Sequence, residues 1–287
     1  MSSLPLPAHH TKHIPLLDYA FLDRRFSLRQ LDDGSSNGTV VGRAVPILVS
    51  RGYLCETEAF WYMQQASKSR RIRQRHRAHG VGGTQFPWNA TFKTAGDIRR
   101  LALSSLGWDI LATDVSFVIS AVLKDNIHGN VANLTGDPGT IQVRELDWTV
   151  PPSNWTWTSH EVISSHTISD VEGHCELLEP PFDLILTSDT LYTESLCTPL
   201  LRTLHALCTQ SVQSTSRSTR TPPVYICVER RDSALIDRAL SEAKSAWGFS
   251  VQRVPHRKVL KAMEKGGLAG WNKVDWEGVE IWRMTLR

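Results

Sequence analysis

An aspartate and a tyrosine three residues apart, Asp189 and Tyr192, directly follow a short apolar segment, residues 182–188 (FDLILTS). Such a segment predicts a buried strand of a parallel sheet, and ligands of open α/β sheets bind outside the carboxyl ends of the strands. A carboxylate there can accept a hydrogen bond from an amine, and a tyrosine offers a ring face for a cation and a hydroxyl to orient it. The pattern indicates a site for a cationic amine, although a helix N-cap would also explain the aspartate.

Acidic residues also end the two preceding predicted strands. Asp114 follows residues 108–113 (WDILAT), where a carboxylate can accept hydrogen bonds from both hydroxyls of a ribose. Asp147 and Trp148 follow residues 140–146 (TIQVREL). There an aspartate can accept from the exocyclic amine of a purine, and an indole can cover its flat face. Helix capping for the first aspartate, and packing beneath a loop for the tryptophan, remain alternatives. Three acidic strand ends in succession favour one shared crevice.

Alternating segments predict the elements that position these residues. Helical periodicity is found at 97–106, 115–133, 193–207 and 233–247, and strand patterns at 108–113, 140–146, 182–188, 224–228, 249–254 and 279–286. The alternation of helix and strand over 95–254 predicts a parallel sheet built from βαβ units. The last two strands are expected to pair in an antiparallel arrangement, with residues 257–277 between them.

Composition is that of an ordinary globular protein: 287 residues, 41% hydrophobic and 21% charged. A net charge of +3 is too small to argue for nucleic-acid or membrane binding. Five cysteines without a C-x-x-C pair predict reduced thiols in a cytoplasmic or nuclear protein. Residues 1–13 lack the apolar core of a signal peptide, and no apolar run approaches the roughly 20 residues that span a bilayer.

Other motifs point to little further chemistry. His160, His166 and His174 have spacings that match no zinc site, so no metal is expected. The basic run Lys68–His79 is interpreted as a solvated insertion in preference to a nuclear-localisation or nucleic-acid patch. A G-x-G-x-x-G loop is absent, which disfavours a nicotinamide dehydrogenase.

The segments DILATDV, RELDW and FDLILTSDTLY, in that order and spacing, resemble the seven-β-strand, S-adenosylmethionine-dependent protein lysine methyltransferases of family 16. VYICVERRDSALIDRAL and the final VEIWRMTL are also similar to that family. The likeness is weak over 39–54 and good over 95–287. It implies an α/β, Rossmann-like, mostly parallel seven-stranded methyltransferase sheet with helices on both faces and a C-terminal antiparallel hairpin. Residues 1–38 would form an N-terminal arm with a possible small strand, and 39–287 the methyltransferase-like domain.

The resemblance also implies a cofactor and roles for site residues. The cofactor would be S-adenosylmethionine, with Asp114 at its ribose and Asp147 and Trp148 at its adenine. Asp189 and Tyr192 would stand for the family's D-x-x-Y signature beside the methyl group and the target lysine. Ser188, at the same strand end, would line the site. The substrate would be a protein, and the enzyme is expected to be monomeric, without membrane or nucleic-acid partners.

One stretch departs from the family. The family has an apolar-E-L/I-G-x-G-x-G run at its first strand, and the corresponding stretch here reads FKTAGDIRRLALSSLG, in which Gly96 matches the last glycine. The strand and acidic residue before it are not apparent, and a basic insertion at about 61–94 stands in their place. Either another segment fills that strand or the donor pocket is incomplete. The expected function is methylation of a protein lysine, and the alternative is a catalytically impaired, methyltransferase-like interaction module.

Overall fold

The computed structural model describes residues 14–21, 24–30, 89–93, 97–134, 136–166, 176–214, 221–265 and 276–287. The basic run Lys68–His79, the weakly similar residues 39–54 and Gly96 lie outside these residues. Within the described part of the chain, no helix has the length and apolar character required to cross a membrane.

Two sheets are present in the described residues. A small hairpin pairs β1 (Leu16–Phe21) with β2 (Arg24–Arg29). The main sheet contains eight strands: β3 (Asn89–Lys93), β4 (Asp109–Asp114), β5 (Ile141–Leu146), β6 (Val162–Ser164), β7 (Leu184–Ser188), β8 (Val224–Glu229), β9 (Phe249–Arg253) and β10 (Val279–Leu286). Their spatial order is β6-β5-β4-β3-β7-β8-β10-β9.

Strand directions confirm the predicted fold class. All neighbours from β6 to β8 are parallel, and β10 runs antiparallel to both β8 and β9. The predicted antiparallel pairing of the last two strands is therefore confirmed. The sheet has eight strands where seven were expected, because the three-residue β6 adds an edge strand for which no strand pattern was identified.

The central strand is where the sequence interpretation requires correction. β3 pairs with β4 on one side and β7 on the other, so the strand that was not apparent in the sequence is present. It lies inside the 61–94 range that was assigned to an insertion. The segment NATFK mixes polar and apolar residues, so its strand conformation follows from pairing with two buried neighbours more than from its own pattern.

Helices cover both faces of the sheet, as expected. They are α1 (Asp97–Ser105), α2 (Ser116–Val118, continuing through a π-helical turn Ile119–Leu123 into Lys124–Val131), α3 (Glu194–Gln213), α4 (Ser233–Ser245) and α5 (His256–Lys265). The first, second and fifth pack on one face, and the third and fourth on the other. Because both faces are covered, all five residues of β7 are buried. Gly107, with φ of 88°, follows the end of the first helix in the left-handed conformation of a C-cap glycine.

Two asparagines attach the small hairpin to the main domain. Asn126 accepts from the Arg29 backbone N–H at 2.7 Å and donates to its carbonyl at 3.0 Å. Asn130 makes the same pair of bonds to Ser27, at 2.8 and 2.7 Å. These side chains, one turn apart on α2, bond to the backbone groups of Ser27 and Arg29 on the open edge of β2. Phe26 of the same strand is fully buried.

Candidate active site

The three acidic strand ends share one edge of the sheet. Asp114 is the last residue of β4, Asp147 follows β5 and Asp189 follows β7, and these strands are parallel. The chain proceeds outward from β3 through β4 and β5, then returns to the other side of β3 with β7. The strand order thus reverses between β4 and β7, which is where ligands bind in open α/β sheets.

Asp114 is buried at this reversal point. It is 2% exposed, and its Oδ1 accepts from the Val115 backbone N–H at 2.9 Å. The N-cap of α2 is Val115, and no side chain caps that helix. Helix capping therefore does not explain the aspartate. A carboxylate kept at a strand end without a capping role is a suitable acceptor for a hydroxyl pair.

Asp147 is partly committed to its own turn. Its Oδ1 accepts from the backbone N–H and the hydroxyl of Thr149, at 2.8 and 2.7 Å. Its Oδ2 lies 3.9 Å from His166 Nε2, and its side chain is 22% exposed. Its backbone N–H donates to the Ser164 carbonyl of β6 at 2.9 Å, so the added edge strand holds this residue in place. Among the described residues Oδ2 accepts no hydrogen bond, so it can accept one from a ligand amine.

The ring of Trp148 lies in the interior. It is 4% exposed and belongs to the core between the sheet and α3, together with Leu146 and Leu200. Packing beneath the loop, the alternative role for this residue, describes these surroundings better than stacking on an exposed purine face. Its carbonyl and that of Thr149 accept from Nη2 of Arg202, at 2.9 and 3.0 Å. The third helix thereby anchors the turn that follows Asp147.

Asp189 adopts a backbone conformation that sequence reasoning did not anticipate. Its φ is 54°, the only left-handed non-glycine conformation among the described residues. Aspartate tolerates this region better than most residues because its short side chain can hydrogen-bond locally. The hydroxyl of the fully buried Ser188 donates to Oδ2 of Asp189 at 3.3 Å. The backbone N–H of Asp189 donates to the Cys227 carbonyl at 2.9 Å. The N-cap of α3 is Thr193, so capping does not explain this aspartate either.

Tyr192 extends into solvent beside the same edge and is 43% exposed. Partial burial raises the pKa of its phenol, and the charge of Asp114 raises it further. Asp114 at the end of β4 and Tyr192 in the loop after β7 are therefore close enough for their charges to interact. The phenol is therefore neutral at physiological pH, and it acts as a hydrogen-bond donor and a ring face rather than as a base.

A fourth strand end lies at the same edge of the sheet, because β8 is parallel to β7, and it was not predicted. Glu229 ends β8, and its Oε2 accepts from Nε and Nη2 of Arg231 at 3.1 and 2.7 Å. This bond raises the pKa of Arg231, and the charge of Asp189 also raises it. Extending the strand-end rule to the residue after VYICV would have identified Glu229 from sequence.

The glycine loop is the part that remains different. Between the end of β3 at Lys93 and the start of α1 at Asp97 the chain has three residues, 94–96, of which Gly96 is the only glycine. These residues lie outside the described part of the chain, so the role of Gly96 in donor binding remains a prediction. In the described ranges, no group of three or more His, Cys, Asp or Glu side chains could hold a metal ion.

No protein-family model matches the chain, and no significantly similar curated protein is found. Several solved structures share the general arrangement. A methyltransferase from Pyrococcus furiosus aligns with a TM-score of 0.38 and 10% identity, over 69% of this chain and 75% of that one. The ribosomal protein L11 methylase from Lactobacillus delbrueckii subsp. bulgaricus gives 0.36 and 14%, over 71% and 72%.

The T. thermophilus 16S rRNA N2 G1207 methyltransferase, solved with AdoMet and guanosine, gives a TM-score of 0.41 and 8% identity, over 96% of this chain and 46% of that one. At these TM-scores and identities, the likenesses identify neither a family nor a substrate for this chain. The α/β, Rossmann-like fold is established by the order and direction of its own strands.

Proposed function

We propose that the chain is an S-adenosylmethionine-dependent methyltransferase that modifies a lysine side chain of a protein, acting as a monomer in the cytoplasm, the nucleus or both. The observation that carries the proposal is the placement of Asp114 and Asp189 on either side of the central strand, both at carboxyl ends and neither capping a helix. One carboxylate suits the ribose of the donor and the other suits the incoming amine.

The donor side fits the cofactor at two points. Asp114, which is buried at the end of β4, would accept from the ribose hydroxyls. Asp147 would accept from the exocyclic amine of adenine through Oδ2, while its Oδ1 accepts from Thr149. Ser188 supports the neighbouring aspartate by hydrogen bonding to it. The donor, when bound, supplies a methyl group on a positively charged sulfur.

The acceptor side needs little acid–base machinery. The lysine amine must be neutral and aligned, because its lone pair forms the new C–N bond as the C–S bond breaks. Asp189 would orient the amine through a hydrogen bond, and the proton released afterward would pass to water. Tyr192, neutral and exposed, would cover the amine and exclude competing orientations.

Methyl transfer from labelled S-adenosylmethionine to proteins of a cell lysate tests the proposal. We expect label on one or a few proteins, located on lysine by mass spectrometry and lost with Asp189→Asn. Thr193→Ala, at the N-cap of α3 without a side-chain cap bond, is the matched control and should retain transfer. Label on RNA or on a small molecule alone would contradict a protein substrate.

The short 94–96 connection favours a second candidate, an interaction module with the same fold and without transfer activity. The connection contains one glycine where the family's G-x-G-x-G run has three. This candidate predicts capture of a partner protein with no label transferred, and with no effect of Asp189→Asn on capture. Lysine labelling that depends on Asp189 would exclude it.

A further inference from the structure

The fifth helix carries a stripe of exposed cations. Arg257, Lys258 and Lys261 are exposed, and Leu260 between them is 41% exposed. The opposite side of the helix is buried through Val259, Ala262 and Met263. We call Arg257, Lys258, Leu260 and Lys261 the basic stripe.

The basic stripe begins at the edge that holds the candidate active site. β8 and β9 both run antiparallel to β10, so they are parallel to each other and their carboxyl ends share one edge. The helix starts at His256, three residues after β9 ends at Arg253. Its buried side joins the cluster that includes Tyr225 and Cys227 of β8. The stripe therefore lies on the β8 side of Asp189.

Arg230 and Arg253, two cations of the neighbouring strand ends, are paired with a carboxylate, whereas Arg257 and Lys258 at the start of the basic stripe are not. Glu280, 7% exposed, accepts from Nε of Arg230 and from Nη2 of Arg253, both at 2.9 Å. Within the part of the chain that the structure describes, the side chains of Arg257 and Lys258 make no hydrogen bond or ion pair. Arg257 and Lys258 are therefore available to pair with an acidic partner.

We propose that the basic stripe binds an acidic segment of the protein substrate, next to the lysine to be modified. This inference rests on the proposed function and adds a sequence preference to it. An aliphatic side chain among the cations suits a peptide that alternates acidic and apolar residues. Single-stranded nucleic acid would favour an aromatic stacking surface, and the exposed ring of α5, His256, already stacks on Trp276 at 4.4 Å.

Direct binding tests the stripe independently of catalysis. The probe is a fluorescein-labelled peptide with a central lysine flanked by Glu and Leu, followed by anisotropy at low and high salt. A peptide with Gln in place of Glu is the comparison. We expect the acidic peptide to bind about 10-fold more tightly, with the difference shrinking as salt rises.

Charge reversal locates the contact. Arg257→Glu with Lys258→Glu should remove the preference for the acidic peptide. Arg238→Glu with Lys244→Glu changes net charge equally on α4, on the other face of the sheet, and should retain it. Equal binding of the two peptides by the unmodified chain would overturn the proposal. So would a single-stranded RNA oligomer that binds more tightly than the acidic peptide and loses binding with the same reversal.

Transfer assays separate this inference from the proposed function. If neither peptide is methylated but the acidic one binds through the basic stripe, the proposed function fails and the stripe stands. If both peptides are methylated with equal kcat/KM and bind equally, the function stands and the stripe assignment fails.

Discussion

Replacing Asp189 separates the stability of the fold from the chemistry of the site. Its left-handed backbone, with φ of 54°, costs a residue that carries a Cβ about 1–2 kcal/mol, less for Asp and Asn, and costs glycine nothing. Asp189→Gly relieves this strain but adds about 0.5–1 kcal/mol of unfolded-state entropy. Because Asp189→Gly also loses the Ser188 hydrogen bond, we expect its free energy of unfolding to lie about 0.5–1 kcal/mol below that of the parent chain. Asp189→Ala loses the same hydrogen bond and keeps the full strain of a residue with a Cβ, so it should be about 1–2 kcal/mol less stable than the parent chain.

Thermal unfolding and methyl transfer, measured on the same preparations, check these values. The stability difference between the Ala and Gly variants should appear as a Tm lower by roughly 2–4 °C for Ala. Both variants should transfer methyl groups about 100-fold more slowly, because the amine is no longer aligned. Asp189→Asn serves as the control for shape, with near-parental stability and impaired transfer. An Ala variant as stable as the Gly variant would refute the strain argument, and parental transfer by the Asn variant would refute the positioning role.

Three further changes test other parts of the structure. Arg202→Met removes both hydrogen bonds to the Trp148 and Thr149 carbonyls, so we expect donor affinity, measured by calorimetry, to fall about 10-fold and to recover in part in Arg202→Lys. Unchanged affinity would show that Arg202 does not position the turn after Asp147. Asn126→Ala with Asn130→Ala removes the hydrogen-bond partners of the Ser27 and Arg29 backbone groups and should destabilise the hairpin by about 2–4 kcal/mol, seen as faster hydrogen exchange at these two residues. Equal exchange rates in the parent chain and the double variant would contradict this. Partial burial and the charge of Asp114 raise the pKa of Tyr192, so the phenol stays protonated through neutral and mildly alkaline pH. The parent chain and Tyr192→Phe should therefore have pH–rate profiles of the same shape up to about pH 9. A limb of the profile that disappears in the Phe variant would show that the phenol titrates in that range.

Short apolar segments that end in polar residues were sufficient to predict most of the sheet and the edge on which the site lies. β4, β7 and β8 were located to within a residue or two, since buried parallel strands are apolar at most positions, and β5, β9 and β10 were located equally well from their alternating patterns. β3 was missed because NATFK has no such pattern, and its pairing partners are β4 and β7, which end at Asp114 and Ser188. A central strand of this kind is defined by its neighbours, which the local sequence does not show.

The site illustrates the same limit at the level of single residues. Placing Asp114 and Asp189 at strand ends follows from the sequence, but the left-handed backbone of Asp189 does not, because aspartate is compatible with several conformations. The anchoring of the Trp148 carbonyl by Arg202 joins residues 54 positions apart, and the burial of the Trp148 ring depends on α3. Contacts of this range are determined by tertiary packing.

Donor binding tests the central claim most directly, because the short 94–96 connection is the feature that differs most from the family the sequence resembles. Isothermal titration of the folded chain with S-adenosylmethionine and with S-adenosylhomocysteine should show one site of micromolar affinity for each. Asp114→Asn should weaken binding about 10- to 100-fold, through loss of charge-assisted hydrogen bonds to the ribose, while leaving the Tm unchanged. A folded chain that binds neither compound would contradict the assignment of this edge as a methyl-donor site.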